Sequence, residues 1–372
     1  MIPLVNSFLA CYNTTIMKLP IEKPCPDIER FVKTVKGEII PERPPFVELF
    51  LDEGVIKSIG ENFLGMTWVP IEDKSRKKEY WDFKIKVYHA LGYDFLWVFG
   101  APVFPTRTRA SETGSRAWAE TANGPIQSFE DFHNYPWPEF TDEMLEDYYY
   151  VSEHLPEGMG MFVANGDGFL EAVMNILIGY ESMCVMLFEN PELVDAVLEK
   201  SASIIYESCK KMIDVPKSEG VFIGDDMGFT TSTMFSPDFY RSKIFPWHKK
   251  LAAAAHDKNQ LYLLHACGKL DALMPDLIND VGIDGKHSYQ NAHYDVIDYK
   301  KRYGNDIAIL GGVDINLICR LDEESLRKYV REILAACAPG GRYALGTGNS
   351  VTDYIPLSNY LAMLDEGSKF SL

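Results

Sequence analysis

Short runs of apolar residues, each closing on glycine or on polar residues, recur along the chain. They are Pro44–Phe50, Phe95–Gly100, Met161–Gly168, Val221–Gly228, Leu261–Gly268, Gly282–Gln290, Asp306–Asp314 and Arg342–Asn349. Most are continuous rather than alternating, as expected of strands covered on both faces. Helical patterns fill the intervals. Asn190 and Pro191 open one, in which Val194, Val197, Leu198, Ile205, Cys209 and Met212 form a single apolar stripe. Asp322 opens a second, with Leu326, Val330, Ile333, Leu334 and Cys337 as its stripe and Gly340–Gly341 as its stop. Strand and helix then alternate to the C-terminus. Eight strands favour an α/β chain closed as a (β/α)₈ (TIM) barrel in one domain spanning residues 1–372. The competing open, doubly wound sheet wants a GxGxxG turn after an early strand, and Gly166, Gly168, Gly346 and Gly348 do not compose one.

Two regions exceed the roughly 250 residues that a minimal barrel needs. Residues 1 to about 43 form a helical N-terminal extension, with a helix expected near Ile28–Val35. Residues 101 to about 160 form a long insertion after the second expected strand, read as a cover over the catalytic face.

Charge and cysteine content narrow the class. The formal net charge is −18, which argues against a sequence-blind nucleic-acid binder. Seven cysteines without a repeating pattern do not suggest a disulfide scaffold. No stretch approaches the length of a membrane span, and the first residues lack a signal-peptide pattern, so a cytoplasmic protein is expected.

Candidate chemistry gathers at the expected strand ends. His265 and Cys267 are two residues apart in a strand, so both side chains leave toward the same face and could share a metal such as zinc. They could equally be ordinary neighbours. A third ligand is not singled out: Cys319, an oxygen from Glu48, Asp225, Asp226 or Asp314, or an imidazole from His287 or His293 all qualify, whereas Cys337 belongs to a core stripe. Glu48, Asp167 and Asp225 are the expected catalytic carboxylates, able to hold a cation or to trade protons. Asp314 fits a helix cap as well as a functional group. Arg107 and Arg109 are expected to bind substrate as a carboxylate or phosphate clamp, with Arg116 nearby. Tyr289 is a further substrate-binding candidate, beside Asn291 and His293. Gly346, Gly348 and Asn349 are the cofactor-binding candidates, since glycine lets backbone approach a ligand; no GKS or GKT follows to make a P-loop.

From about Val32 to Gly367 the chain resembles the uroporphyrinogen decarboxylase superfamily. The resemblance rests on ERPPFVELF, GDGFLEAVMNILIGYE, FIGDDMGFTTSTMFSPDFYRSKIFPWHKKL, LLHACGKLDALMPDL, ILGGVD and LGTGNSV. It implies a (β/α)₈ barrel and two possible activities. The decarboxylases proper carry arginines in an RQAGR-like motif after the first strand; Glu48–Leu49–Phe50–Leu51–Asp52 stands there instead. The second strand ends in Val98–Phe99–Gly100–Ala101, without those enzymes' aspartate. The corrinoid-dependent methyltransferases hold zinc through an HxCG motif, matched by His265 and Cys267, and through a later cysteine that should fall near Gly348 or Asn349 and is not there. The resemblance therefore implies a zinc-assisted methyltransferase. It would move a methyl group between a small methylated or methoxylated compound, or a thiol, and a corrinoid carried by a partner protein. Homodimers are a family expectation. A cofactor-free decarboxylase of an organic acid and a non-catalytic barrel are the alternatives.

Overall fold

The computed structural model describes residues 18–100, 102–106, 123–290 and 295–372. Seven parallel strands lie in sequential order: β1 (Phe95–Phe99), β2 (Gly160–Ala164), β3 (Ser218–Gly224), β4 (Leu261–His265), β5 (Gly285–His287), β6 (Ala308–Leu310) and β7 (Tyr343–Ala344). The stretch expected as the first strand, Pro44–Phe50, joins β7 through single bridges. Phe46 pairs with Leu345 and Leu51 with Val351, and the Val47 N–H donates to the Leu345 carbonyl at 2.9 Å. Pro44 and Pro45 bring no N–H to a ladder, so this edge closes on β7 by a few bonds rather than a run of them. The result is a curled, barrel-like sheet with helices around it.

Side chains alternate along each strand between two cores. Val47, Leu49, Phe95, Trp97, Phe162, Ala164, Phe222, Leu261, Leu263, Ala308, Leu310 and Ala344 fill the interior. Leu96, Val98, Met161, Val163, Val221, Ile223, Tyr262, Leu264 and Ile309 face the helices. Both faces are apolar, which is why the strands read as unbroken apolar runs.

The two expected helices form as Pro191–Met212 and Glu323–Cys337. Their stripes are buried, and the Asp322 carboxylate caps the second by accepting from the Ser325 N–H at 2.8 Å. The expected extension helix is Ile28–Lys36. It is a plug: Phe31 and Val35 belong to the interior core, and the Phe31 ring lies 4.9 Å from Phe95 and 5.8 Å from Phe162. The Asp27 N–H bonds to the Asp94 carboxylate and the Ile28 N–H to the Gly158 carbonyl, both just ahead of strands. This closes the N-terminal end of the barrel and leaves the C-terminal end as the functional face.

The long insertion is not wholly a cover. Its last helix, Glu146–His154, buries Tyr148 and Val151 and takes the regular place of a helix between β1 and β2. Residues 107–122, which include Arg107, Arg109 and Arg116, lie outside the described residues, as do Asn291 and His293. Among the described residues no single helix is long and apolar enough to cross a membrane.

Candidate metal centre

The register pairs Gly224 with His265 and His265 with His287. His265 ends β4 and points into the barrel mouth, and Cys267 follows two residues on with the same facing. Across from them, Asp226 lies two residues beyond Gly224. The ligand atoms of Asp226, His265 and Cys267 all lie within 4.8 Å of one another. His265 Nε2 is 3.4 Å from Cys267 Sγ and 3.8 Å from Asp226 Oδ1. The Cys267 N–H donates to Asp226 Oδ1 at 2.7 Å, fixing the carboxylate in place.

Hydrogen bonding decides which imidazole nitrogen is free. His287 Nε2 is 3.2 Å from the Thr347 carbonyl, which can only accept. A neutral His287 therefore carries its proton on Nε2 and offers a lone pair on Nδ1. His265 Nδ1 lies 2.8 Å from that lone pair and donates to it. A neutral His265 is left with an unprotonated Nε2 aimed at Asp226 and Cys267, the form a metal requires. Burial, aided by the Lys286 charge, pushes the His265 pKa down to about 3, so the ring is neutral at physiological pH.

The sulfur has two further partners. Asn349 Nδ2 donates to Cys267 Sγ at 3.3 Å, and Ser288 Oγ stands 3.4 Å away. Burial and then Asp226 push the thiol pKa up, so without a cation the sulfur keeps its proton; a bound cation inverts that preference. Ser288 holds φ at 87°, unusual for a non-glycine residue. Lys286 secures this turn by donating to the Ser288 carbonyl at 2.8 Å and to the His287 carbonyl at 3.3 Å. The Lys286 ammonium is buried over the Tyr289 ring at 4.5 Å, and burial lowers its pKa to about 8.

The glycine of HACG has a backbone reason. Gly268 has φ 78°, and a Cβ there would sit 2.1 Å from the Gly228 backbone. The turns after β3 and β4 touch main chain to main chain, which brings Asp226 up to Cys267.

Several expected residues stand elsewhere. Asp225, expected to be catalytic, points outward and is fully buried. It accepts from the Leu170 and Glu171 N–H groups at 3.0 Å, and His248 Nε2 lies 2.9 Å from its second oxygen. It caps a helix and pairs a buried histidine; its neighbour Asp226 faces the mouth. Glu48, also expected to be catalytic, points outward between Val47 and Leu49, whose side chains line the interior. Its Oε1 accepts the Thr347 N–H at 2.8 Å and its Oε2 is 2.5 Å from Thr347 Oγ1, which itself donates to the Asn349 carbonyl at 3.0 Å. Burial raises the Glu48 pKa to about 8, against the two Thr347 hydrogen bonds it accepts. Tyr289, expected to touch substrate, is wholly buried against Tyr299. Gly346 and Gly348, expected at a cofactor, are needed by the chain itself: a Cβ would lie 1.8 Å from the Val47 carbonyl oxygen and 2.0 Å from that of Tyr289. Asp314 caps the helix Ile315–Arg320, which also carries Cys319.

Asp167 follows β2, and burial with Asp225 beside it raises its pKa to about 6. Sequence reading missed Glu171, whose carboxylate accepts the Asp226 N–H and whose pKa burial and the neighbouring carboxylates drive upward. Glu171 lies inside an apolar helical pattern, with no local signal to mark it.

Residues 122–370 match the family model described as uroporphyrinogen decarboxylase (URO-D). No curated protein matches the chain. Among solved structures, the fold is similar to that of a methyltransferase from Methanosarcina mazei. The TM-score is 0.70 at 16% identity, covering 92% of this chain and 98% of that one.

Proposed function

The chain belongs to the uroporphyrinogen decarboxylase family, and from that premise we propose that it is a zinc-assisted methyltransferase. It moves a methyl group between a small methylated or methoxylated compound, or a thiol, and the corrinoid of a partner protein. The reading is carried by the convergence of one oxygen, one nitrogen and one sulfur donor, from Asp226, His265 and Cys267, at the open end of the barrel. The likeness of fold to a protein named as a methyltransferase agrees with it. Where the methyltransferases place a later cysteine, Asn349 stands against Cys267, and Asp226 makes up the third donor.

A mixed O, N, S set with three protein donors suits zinc with one open position. Zinc held there supplies Lewis acidity toward an ether oxygen or a thiol sulfur. The chain's own residues do the rest. His287 and Thr347 hold His265 in its ligating tautomer, Asn349 and Ser288 orient the sulfur, and Lys286 offsets the negative charge of Asp226 and the thiolate. Asp167, whose pKa burial raises to about 6, is the group that trades a proton in this reading. Substrate selection by Arg107 and Arg109 belongs to the same reading.

Metal analysis of protein purified without affinity tag or chelator is the direct test. About one zinc per chain is expected, lost in His265→Ala and Cys267→Ala together with methyl transfer to a reduced corrinoid. Full methyl transfer by metal-free protein would end the zinc reading. Carbon dioxide release from an organic acid, with neither metal nor corrinoid present, would favour the decarboxylase alternative.

A further inference from the structure

The closed end of the barrel carries a second built feature, at the plug helix and away from the metal centre. A cavity of about 490 Å³ opens there. Its walls include Arg30 of the plug helix, Glu42 and Arg43 ahead of the edge stretch, and Lys369, Phe370 and Ser371 at the end of the last helix, Leu357–Lys369. Three cations and one carboxylate therefore line it. The carboxylate, Glu42, is turned to Ser371, whose hydroxyl donates to its Oε1 at 3.4 Å.

Two further carboxylates stand nearby, and each is already shared between cations. Asp94 takes Arg30 Nη2 at 3.3 Å on both oxygens. It also attracts Arg43, though less than Arg30 repels it; burial and then the Arg30 charge lower the Arg43 pKa. Asp365 Oδ2 takes Lys369 Nζ and Arg327 Nη1, both at 2.6 Å. Among the described residues the Arg43 guanidinium has no carboxylate within 4.0 Å and makes no hydrogen bond. Arg30 has no partner there for Nη1, and its Nε is buried without one. Two half-buried guanidiniums with one carboxylate between them leave the cavity short of negative charge.

We propose that this cavity binds a phosphate group, free or carried by a small organic molecule, held between the guanidiniums of Arg30 and Arg43 with Lys369 and Ser371 at the rim. The planar donor fork of arginine matches phosphate oxygens two at a time, and a dianion supplies the charge that the paired guanidiniums lack. The volume exceeds what a bare ion fills, and Phe370 offers an apolar wall to an organic body. Binding here is independent of the methyl-transfer reading, since none of these residues belongs to the mouth.

Calorimetric titration of the full chain with inorganic phosphate and with phenyl phosphate, at constant ionic strength set by chloride, tests it. Saturable binding is expected, with phenyl phosphate tighter if the natural ligand is an ester and equal if it is the free ion. Arg43→Gln should weaken both by about tenfold or more, the worth of a charged hydrogen bond, while Cys267→Ala leaves them unchanged. Absence of saturable binding overturns the proposal, as does binding that survives Arg43→Gln. So does binding that vanishes in Cys267→Ala, which would place the phosphate on the metal. Should Arg43→Gln fold poorly, the wild type decides: phosphate must slow the modification of Arg43 by phenylglyoxal, read by mass spectrometry, and an unchanged rate refutes the site.

Discussion

Replacing His287 by Phe tests whether the second imidazole prepares the first. Phe keeps the ring volume and the edge-on contact with Phe222, whose centroid is 5.8 Å away. It removes the acceptor that His265 Nδ1 reaches at 2.8 Å. His265 Nδ1–H would then be buried without a partner, at a cost of about 1–3 kcal/mol. The ring can escape by shifting its proton to Nε2 or by rotating, and either move withdraws the lone pair from Asp226 and Cys267. Carried wholly by the metal-binding state, that energy weakens zinc binding by about 5- to 150-fold, a span that contains the usual effect of losing such a partner. Asn at 287 places an amide oxygen near the lost Nδ1 and should restore most of the affinity, although it forgoes the Thr347 contact. Zinc affinity would be read by competition with a chromogenic chelator at one pH, with circular dichroism confirming that each variant is folded. A Phe variant that binds zinc as tightly as the wild type, or an Asn variant no better than Phe, would refute the tautomer argument.

Three other outcomes follow from the same geometry. Asp225→Asn should cost about 1–3 kcal/mol of stability, through its helix cap and His248, while leaving zinc stoichiometry intact; Asp226→Asn should do the reverse, and thermal unfolding beside metal analysis separates them. For Glu48, burial raises the pKa from 4.5 to about 8, so between those values the folded chain holds a proton that the unfolded chain has released. Its contribution is therefore full below the lower value and is lost as pH rises to the upper one, by at most about 5 kcal/mol. Glu48→Gln, uncharged like the protonated acid and of its size, should match the wild type near about pH 5 and melt higher above about pH 8; parallel melting curves at both pH values would contradict a protonated Glu48. Asn349→Cys should put a second sulfur beside Cys267, tighten zinc by about tenfold or more and strengthen thiolate-to-metal absorption after cobalt substitution; unchanged spectra would show that the side chain does not face the metal.

The sequence alone determined the elements and the first half of the candidate metal site. The apolar stripes of Pro191–Met212 and Glu323–Cys337 follow from helical spacing, and the continuous apolar runs follow from strands covered on both faces. His265 and Cys267 share a face by the two-residue period of a single strand, which needs no knowledge of any neighbour. The third donor was beyond that reach. Asp225 and Asp226 are adjacent, and the run before them is apolar on both sides, so nothing local says which one faces the mouth. Only the pairing of Gly224 with His265 sets the parity, sending Asp226 toward Cys267 and Asp225 into a helix terminus. The same register places His287 against His265, and barrel closure carries Glu48 and Tyr289 away from the mouth. Periodicity is a property of one element and can be read from the chain; which faces meet depends on how separate elements are aligned, and that is fixed only when the sheet curls and its two cores are packed.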